Sequence, residues 1–402
     1  MSKLQELIQE LCPEGVDYKK LGELLDYEQP TKYIVKSTEY DTSYDIPVLT
    51  AGQTFILGYT NEKFGVYKAS QENPTIIFDD FTTSFHWVDF EFKIKSSAMK
   101  MLRPKDTFDG SFKYVYYAMK CIKYEAVDHT RHWISKYSQF EIPVPPLEVQ
   151  EEIVCILDHF TNLAAELQAE LQAELQARKE QYEYYRNKLL MFDKIGGGTQ
   201  SVTWMKMSEI GTFIRGKRFV RTDIVSDGVP CIHYGDMYTY YGLYATQSKG
   251  RLRSELASKM RYAQKNDVVI VAAGENKEDI GVGLAWLGDE PAAVHDACFI
   301  FRSDLYPQYV SHYLRSNYYH KQIVKYVSEG KICSISAKGL GNAIIPIPAH
   351  EEQVRIATLL NNFDALVGDL TKGIPAEMVA VQEQYEYYRN KLLSFPRIQI
   401  SV

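Results

Sequence analysis

The sequence lacks the motifs by which most enzymes are recognised. It has no glycine-rich nucleotide loop ending in Lys-Ser or Lys-Thr, no His-x-x-x-His pair in a predicted helix, and no serine or cysteine in a recognisable nucleophile motif. The nearest approach to the Asn-Pro-Pro-aromatic motif of methyltransferases is Asn73-Pro74-Thr75, which lacks the second proline and the aromatic residue. We therefore predict that this chain has no catalytic residues and no catalytic activity of its own.

Paired cysteines and long apolar runs are also missing. The 6 cysteines are scattered without a Cys-x-x-Cys pair, which argues against a zinc cage and against a disulfide framework. No stretch approaches the roughly 18 uncharged apolar residues of a membrane span. These absences predict a cytoplasmic protein with reduced cysteines and no metal site.

The chain as a whole has no excess of positive charge, since its net charge is −7. The charge is distributed unevenly, because residues 1–145, 146–195 and 346–402 carry −4, −5 and −2, whereas residues 196–345 carry +4. Any contact with a polyanion therefore belongs to the variable modules rather than to the spacers, and in residues 1–145 it would require a local patch. Charge alone does not indicate DNA binding.

What the sequence does contain is one segment twice. Gln181-Tyr-Glu-Tyr-Tyr-Arg-Asn-Lys-Leu-Leu-Met-Phe192 returns 203 residues later as Gln384-Tyr-Glu-Tyr-Tyr-Arg-Asn-Lys-Leu-Leu-Ser-Phe395. The same offset relates Ile142-Pro143-Val144-Pro145 to Ile345-Pro346-Ile347-Pro348. The chain thus consists of two variable modules, 1–145 and 196–345, each followed by a copy of the same spacer, 146–195 and 346–402.

Both spacers have the residue spacing of a long helix. Apolar residues recur at steps of three and four from Ile153 to Phe192, and equivalent positions repeat this pattern from Ile356 to Phe395, as in a coiled-coil seam. The first spacer contains Ala-Glu-Leu-Gln three times in tandem at 165–176, whereas Pro375 predicts an interruption of the second helix. Each tetrapeptide lengthens a helix by ~6 Å.

We expect the two long helices to form an antiparallel coiled coil. Such packing would relate the two halves of the chain by a pseudo-two-fold axis and would hold the modules apart, and duplex DNA has the same symmetry. The spacers alone leave open a second interpretation, in which a helical hairpin only dimerises or stiffens the protein.

The repeated motifs resemble those of a known family. Ile-Pro-x-Pro-x-x-x-x-Gln-x-x-Ile, then a helix with Ala-Glu-Leu-like repeats, then Gln-Tyr-Glu-Tyr-Tyr-Arg-Asn-Lys-Leu-Leu-x-Phe, twice in the chain, is similar to the specificity subunit of type I restriction-modification enzymes. The resemblance implies that each variable module is a target-recognition domain reading one half of a split DNA sequence. It also implies that the spacers dock two modification subunits, which use S-adenosylmethionine, and that restriction subunits using ATP and Mg²⁺ join the full complex.

The modules themselves are predicted to be mixed α/β domains with short-stranded sheets. Their openings align at residues 16–24 and 202–210, and short β-branched runs follow at 75–78, 90–94, 267–271 and 297–301. One helix is predicted in each module, at 111–120 and 307–316. Both modules therefore begin and end alike and differ in their interiors.

In the second module, cations and strand-exit loops supply the candidate DNA contacts. Four cations lie within seven residues beside a glycine, a composition that suits phosphate binding by a loop. Ordinary solvated surface residues are the alternative for each candidate. The candidates are Arg215, Lys217, Arg218, Arg221, His233, Tyr234, Asp236, Arg251, Arg253, Glu275, Asn276, Lys277, Lys331 and Lys338.

The first module has different side chains in the corresponding loops, which implies a different half-site. The loop from residue 50 corresponds to the loop from residue 233, and the loop from residue 79 corresponds to the loop from residue 272. The candidates are Thr50, Gln53, Thr82, Thr83, Ser84, His86, Arg131 and Lys136.

The spacer faces outside the seam are the candidate docking surfaces for partner subunits. The candidates are Tyr184, Arg186, Lys188, Tyr387, Arg389 and Lys391. The alternative for the whole chain is a coiled-coil scaffold with two ligand- or protein-binding modules and no role on DNA. The sequence of either half-site and the gap between them do not follow from the residues.

Overall fold

The computed structural model describes residues 2–52, 54–126, 130–192, 202–368 and 373–398. The chain divides into two compact units. Unit 1 comprises Met1–Ala169 and Val379–Val402, and unit 2 comprises Glu170–Met378. Each unit thus contains one variable module together with parts of both spacers.

The first module consists of short strands and short helices. In chain order these are α1 (Lys3–Leu11), β1 (Asp17–Lys20), α2 (Leu21–Leu24), β2 (Leu25–Glu28), β3 (Ile46–Leu49), β4 (Ile56–Thr60), β5 (Thr75–Asp79), β6 (Phe85–Val88), β7 (Lys93–Ile94), β8 (Met99–Pro104), α3 (Phe112–Met119), α4 (His132–Ser135) and β9 (Glu141–Val144). Helix α5 (Leu147–Met191) follows and passes from unit 1 into unit 2.

The second module has the same kind of architecture. Its elements are β10 (Thr203–Lys206), α6 (Met207–Ile210), β11 (Gly211–Arg215), β12 (Ile224–Val225), β13 (Val229–Ile232), α7 (Asp236–Thr239), β14 (Tyr244–Ala245), β15 (Gly250–Leu252), β16 (Tyr262–Ala263), β17 (Val268–Val271), β18 (Ala273–Gly274), β19 (Gly283–Trp286), β20 (Ala292–Val294), β21 (Cys298–Ser303), α8 (Pro307–Tyr313), α9 (Asn317–Ile323), β22 (Cys333–Ser334), α10 (Ala337–Gly341) and β23 (Ile344–Ile347). Helices α11 (His350–Gly368) and α12 (Ile374–Leu392) complete the chain.

The two modules share a sheet topology that their sequences barely show. One sheet has the order β2-β8-β5-β6 in the first module and β11-β21-β17-β19-β14 in the second. In a second sheet of each module, β3 pairs in parallel with β7, and β13 pairs in parallel with β20. Both modules are closed by an antiparallel ribbon, β1 with β9 and β10 with β23. The predicted mixed α/β class is confirmed.

The predicted alignment of the module openings and the two predicted module helices are confirmed as well. Strand β10 and helix α6 repeat β1 and α2 in the same order, and helices α3 and α8 lie within the segments predicted to be helical. The strand predicted at 90–94 is shorter than expected, because only Lys93–Ile94 pairs within a strand and Phe92 makes an isolated bridge to Tyr67.

One buried glutamine joins module and spacer in each unit. The Gln150 side chain accepts a hydrogen bond from the backbone N–H of Ser111 (2.9 Å) and donates to the carbonyl of Pro145 (2.7 Å). Gln353 does the same with the N–H of Tyr306 (2.9 Å) and the carbonyl of Pro348 (2.9 Å). Because these backbone groups are at the start of the module helix and at the end of the closing ribbon, the glutamine of the repeated motif ties three segments together.

The spacers form one continuous helix and one interrupted helix, as predicted. Helix α5 has 45 residues, whereas α11 ends at Gly368 and α12 begins at Ile374 with Pro375 in its first turn. Proline fits the first turn of a helix because the N–H it lacks would have no helical partner there.

Equivalent residues make the helix–helix contact in each unit. In unit 1 the ring of Phe160 packs on Tyr388, with centroids 6.2 Å apart. In unit 2 Tyr185 packs on Phe363 at 5.7 Å. The repeat offset converts one pair into the other. Each unit therefore packs helix α5 against a helix of the second spacer through equivalent residues, and the predicted pairing of the spacer helices is confirmed within each unit.

The apolar seam is only partly covered. Leu157, Leu171 and Tyr182 are buried, but Leu163 and Leu167 of unit 1 remain exposed. Two helices cover less of a seam than the four helices of a bundle do, so an apolar strip remains open in unit 1. Leu370 of the predicted second seam lies outside the described residues.

Within the part of the chain that the structure describes, no helix has both the length and the apolar content needed to cross a bilayer.

Candidate nucleic-acid interface

The second module contains a cleft that gathers six of the predicted DNA-contact residues. The cleft has a volume of about 720 Å³. Arg218, Arg221, His233, Tyr234, Glu275 and Lys331 all line it. These residues come from four separate parts of the sequence, so their convergence is a property of the fold.

Strand pairing explains why the cleft forms at this edge. Parallel pairing sets Cys231 opposite Ala293 and Ile232 opposite Val294, and the chain continues from β13 into His233 and from β20 into His295. The backbone N–H of His295 donates to the carbonyl of Ile232 (3.1 Å). The carboxyl ends of two parallel strands meet at one edge of a sheet, and here they bring the two histidines side by side.

The cationic loop approaches this edge closely because it contains a glycine. A Cβ atom added to Gly216 would lie 2.2 Å from the carbonyl oxygen of His295 and 2.4 Å from that of Val294. No larger residue fits between the loop and the end of β20. Gly216 therefore allows the Arg218 and Arg221 side chains to line the cleft.

Aromatic rings form the floor of the cleft. The ring centroid of His233 is 4.7 Å from that of Tyr234 and 4.8 Å from that of His295, and Phe219 packs edge-on against His295 at 5.2 Å. Burial lowers the pKa of His233 and also the pKa of His295. Both imidazoles are thus neutral at pH 7, and Nδ1 of each lies within hydrogen-bond distance of a backbone N–H, from Gly235 and Ala297 respectively.

Several predicted contacts are occupied with the protein itself. Arg251 donates to the carbonyl of Gly228 (2.7 Å) and lines a different pocket, while Arg253 pairs with Asp223 at 3.4 Å. Their guanidinium groups are anchored away from the cleft, so this candidate pair does not share it with Arg218 and Arg221.

Other predicted residues lie at the margin of the cleft with partners of their own. The Arg215 side chain donates to the carbonyl of Asp296 (3.0 Å), and Asp236 pairs with Lys249 at 2.9 Å. The Asn276 amide donates to Asp279 (3.1 Å), and Lys277 forms an ion pair with Glu329. Lys217 and Lys338 are exposed, and neither lines the cleft.

Neither His295 nor its counterpart in the first module was among the predicted residues. Strand β7 pairs in parallel with β3, and the backbone N–H of Lys95 donates to the carbonyl of Leu49 (3.2 Å), as His295 does to Ile232. Lys95 therefore stands beside Thr50 in the position that His295 holds beside His233. Only the parallel pairing of two strands distant in sequence could have revealed either residue.

In the first module, one contact joins two of the predicted loops. The His86 ring nitrogen Nε2 lies 3.1 Å from the carbonyl oxygen of Gly52, and its ring packs on Phe55 with centroids 4.7 Å apart. Burial lowers the pKa of His86, so the ring is neutral at pH 7. The Thr50 hydroxyl donates to the carbonyl of Thr54 within the same loop (2.8 Å). Gln53 lies outside the described residues.

A buried ion pair joins the β5–β6 turn to β8, and hydrogen bonds to the same aspartate join it to the segment around α4. Lys100 and Asp80 are each 2% exposed and lie 3.1 Å apart. Asp80 also accepts hydrogen bonds from the backbone of Trp133 at its carboxylate (2.7 Å) and from that of His132 at its carbonyl (2.9 Å). The turn carrying Thr82, Thr83 and Ser84 is thereby held next to Arg131.

The turn itself is tightly constrained. The Asp79 carboxylate accepts hydrogen bonds from the N–H groups of Phe81 and Thr82, both at 2.9 Å. Thr83 has a φ of 59°, a conformation that costs a β-branched residue energy. Lys136 and Arg131 are both exposed at the two ends of α4.

The spacer ends present the same exposed group in both units. Tyr184 is 59% exposed and Tyr387 is 60% exposed. Each ring packs on the next tyrosine in the chain at 5.3 Å, and the ammonium of Lys188 or Lys391 lies over it at 5.6 or 5.9 Å. Two equivalent aromatic surfaces, each with one lysine, are thus displayed at repeat-related positions.

The two arginines of this motif are buried, whereas they were predicted to lie on the docking surface. Arg186 is 9% exposed and Arg389 is 8% exposed, and each lies over the ring of the tyrosine four residues before it, Tyr182 or Tyr385. An arginine at this helix position points toward the module rather than toward solvent, so neither side chain is available to a partner subunit. The predicted docking surface is reduced to the two exposed tyrosines and the two lysines.

Behind these arginines, equivalent side chains connect module and spacer in each unit. In unit 2, Nε2 of His312 lies 2.8 Å from the Asn361 side-chain oxygen, and its Nδ1 lies 3.2 Å from the Tyr182 hydroxyl. In unit 1 the Tyr117 hydroxyl donates to Asp158 (2.5 Å). Burial lowers the pKa of His312 to about 4, so this ring is neutral in the folded protein at pH 7.

Comparison with known proteins agrees with this arrangement. A family model described as the type I restriction modification DNA specificity domain matches residues 13–177 and 201–379. The chain therefore belongs to the type I restriction-modification specificity family, whose members recognise DNA as non-catalytic subunits of a larger complex.

Individual relatives extend over nearly the whole chain. The chain is 40% identical over 415 residues to the type I restriction enzyme EcoR124I/EcoR124II specificity subunit of Escherichia coli, covering 99% of this chain and 98% of the relative. It is 30% identical over 391 residues to S.HindORF215P of Haemophilus influenzae, whose name as a specificity subunit is provisional, covering 94% and 96%. A solved structure from work on assembly of the type I restriction-modification system has the same fold, with a TM-score of 0.66 at 17% identity over 95% and 98% of the two chains.

Proposed function

We propose that this specificity subunit reads a split DNA target, with residues 1–145 reading one half-site and residues 196–345 the other. The observation that carries this proposal is that equivalent loops of one shared topology bear different side chains. The loops after β3 and β13 contain Thr50 and His233, and the edges beside them contain Lys95 and His295. A common scaffold with different chemistry at its loops suits two different half-sites.

The cleft of the second module supports contact with both phosphates and bases. Arg218, Arg221 and Lys331 line it, and no described residue forms an ion pair with any of the three. Unpaired cations are suited to neutralising phosphates, which supplies affinity without sequence preference. The neutral histidines, Tyr234 and Glu275 supply donors, acceptors and ring faces, which are the groups that read bases.

The first module is proposed to read its half-site from a narrower set of groups. Thr82, Ser84 and Lys95 lie on loops, and His86 lies on β6. The His86 contact with Gly52 and the buried pair of Lys100 with Asp80 hold these segments in place. Arg131 and Lys136 supply cations beside them. Positions held by internal contacts can present their side chains to DNA with little loss of entropy.

We propose that residues 146–195 and 346–402 are the spacers, and that they dock two modification subunits at equivalent sites. Tyr184 with Lys188 and Tyr387 with Lys391 form these sites, and exposed tyrosines are enriched at protein interfaces. In unit 1 the open apolar strip continues the site with a groove of about 180 Å³ lined by Leu163, Leu167 and Tyr385. A helix of the modification subunit would complete a bundle there.

In the complete complex, the modification subunits would use S-adenosylmethionine to methylate adenine, and restriction subunits would use ATP and Mg²⁺. We propose that the complex works in the cytoplasm. The tandem Ala-Glu-Leu-Gln units at 165–176 lie within α5, so their number would set the gap between the half-sites.

Methylation mapping tests the proposal directly. The chain is co-expressed with its modification subunit, and methylated bases are mapped across the host genome by long-read sequencing. A single split motif with a fixed gap and one modified adenine per strand is the expected result. A stable complex that methylates nothing, on any host DNA, would favour the scaffold with two ligand-binding modules.

A further inference from the structure

Glu275 is a carboxylate in a cleft that gathers three cations. It lines the cleft together with Arg218, Arg221 and Lys331. Asp296 is a second carboxylate of the lining, and it lies 3.2 Å from Nδ1 of His295. Among the described residues, Glu275 has neither an ion-pair nor a hydrogen-bond partner. A free carboxylate repels phosphate, so its presence in a polyanion site needs an explanation.

The backbone that carries Glu275 is held from two sides. Strand β18, which ends at Gly274, pairs with β22, and the N–H of Ala273 donates to the carbonyl of Ala297 (3.0 Å). A Cβ atom on Gly274 would lie 2.7 Å from the Tyr238 hydroxyl oxygen, so a larger residue would require the Tyr238 side chain to shift. Two residues after Glu275, Lys277 is tied to Glu329. The position of the Glu275 backbone is therefore set by the fold of the module.

The chemistry of base edges explains a carboxylate at this position. An ionised carboxylate only accepts hydrogen bonds. In the major groove, cytosine N4 and adenine N6 are donors, whereas guanine O6 and N7 and thymine O4 are acceptors. A carboxylate held near base edges therefore attracts cytosine or adenine and repels guanine and thymine.

We infer that Glu275 reads the exocyclic amino group of a cytosine or adenine in the second half-site. The surrounding cations bind the adjacent phosphates and offset the repulsion between the carboxylate and the DNA backbone. The inference rests on the proposed function, and it adds the chemical class of base that one position of the target must contain.

The test compares methylation motifs of the assembled complex with wild-type, Glu275→Gln and Glu275→Asp chains. Wild type should restrict one position of the second half-site to cytosine or adenine. The Gln variant adds a donor, so guanine or thymine should be accepted there and discrimination should fall roughly 10- to 100-fold. The Asp variant should keep the base preference with weaker methylation.

Two controls separate base reading from folding. Glu278→Gln removes an exposed carboxylate three residues further along the chain that does not line the cleft, and it should leave the motif unchanged. The first half-site should stay the same in every variant. Methylation is also measured in vitro on duplexes that carry each base at each position of the second half-site, with normal assembly of each complex checked by gel filtration.

An unchanged second half-site with Glu275→Gln would overturn the inference while leaving the proposed function intact. Equal loss of methylation on every duplex, with Gln and Asp alike, would also overturn it, because that pattern is structural. A wild-type complex without any split motif would contradict the proposed function itself.

Discussion

The two variable modules anchor the end of a central strand to the segment before the spacer in the same way, but with different side chains. In both, the residue directly after a central strand accepts a backbone hydrogen bond from the segment preceding the spacer. The N–H of His132 donates to the carbonyl of Asp80, after β5, in the first module (2.9 Å). The N–H of Ile335 donates to the carbonyl of Ala272, after β17, in the second (2.9 Å). The first module adds the buried pair of Asp80 with Lys100, whereas the second has only an alanine there and opens into a cleft.

This difference shows which parts of the fold are free to vary. The closing ribbon, the module helix and the glutamine at the spacer are the same in both modules, because they bind the module to its helix. The loops at the far ends of the strands contribute little to that junction, so their side chains can change without loss of the fold.

The buried pair should give the largest effect. Asp80→Ala leaves the Lys100 ammonium buried without its anion, and we expect unit 1 to lose about 3–5 kcal/mol in its free energy of unfolding. Denaturant unfolding of the purified chain measures this loss. Glu91→Ala breaks an exposed pair of the same module, with Lys68 at 2.5 Å, and should cost less than about 1 kcal/mol. Equal losses in the two variants would contradict a structural role for the buried pair.

Removing the cleft cations should reduce the salt dependence of DNA binding. In the triple variant Arg218→Ala, Arg221→Ala and Lys331→Ala, the slope of log affinity against log salt should fall by about 2.7, since each phosphate contact contributes about 0.9. Fluorescence anisotropy with the cognate duplex at several salt concentrations measures the slope.

The matched control removes the same charge from the same module outside the cleft. Lys259→Ala, Lys265→Ala and Lys325→Ala change three exposed residues that do not line it. The slope should stay close to that of wild type. If both triple variants lower it equally, the module binds DNA through its general charge and not through the cleft.

The stability of the junction between module and spacer should depend on pH in unit 2 through a histidine that unit 1 lacks. His312 has a pKa of about 4 when folded, below its ordinary value of 6.5, so the unfolded chain binds the proton more readily. Stability from this group is complete above pH 6.5 and is lost as the pH falls toward 4, by about 2 kcal/mol at pH 5. Unit 1 has Tyr117 at the equivalent position, so this histidine contribution is specific to unit 2.

His312→Gln should make unit 2 less sensitive to acid between pH 7 and 5, as measured by thermal unfolding across that range. The other buried histidines of the module, whose pKa values burial also lowers, should leave part of the sensitivity. His350→Gln changes an exposed histidine and serves as the control. An acid sensitivity that His312→Gln leaves untouched would show that His312 does not titrate with unfolding.

The smallest effect on the chain itself is expected at the docking surfaces. Tyr184→Ala with Tyr387→Ala should leave the fold intact and weaken binding of the modification subunits, by about tenfold or more for each tyrosine if these residues are hot spots. Analytical ultracentrifugation of reconstituted complexes gives the stoichiometry. Each single variant should retain one modification subunit, and the equally exposed Tyr240→Ala should retain both.

Much of the architecture could be predicted because its signals are local or repeated. The spacing of apolar residues such as Leu157, Phe160 and Tyr388 predicted the helices, and the repeated segment predicted their pairing. Pro375 predicted the interruption because its ring excludes a continuous helix. The burial of Arg186 and Arg389 was not predictable, since a charged residue at a helix surface becomes buried only when a neighbouring element covers it.

The sequence predicted which loops form the candidate site but not which of their side chains line the cleft. The sequence by itself determined that two related modules alternate with two related helices, that the family is the type I specificity family, and that His233 and Glu275 follow strands. Only the tertiary structure decided that Arg251 faces away from the cleft, that His295 lines it, and that Lys95 holds the equivalent position in the first module. Helical periodicity can be recognised from neighbouring residues, whereas the parallel pairing that places His295 and Lys95 joins strands that are distant in the chain.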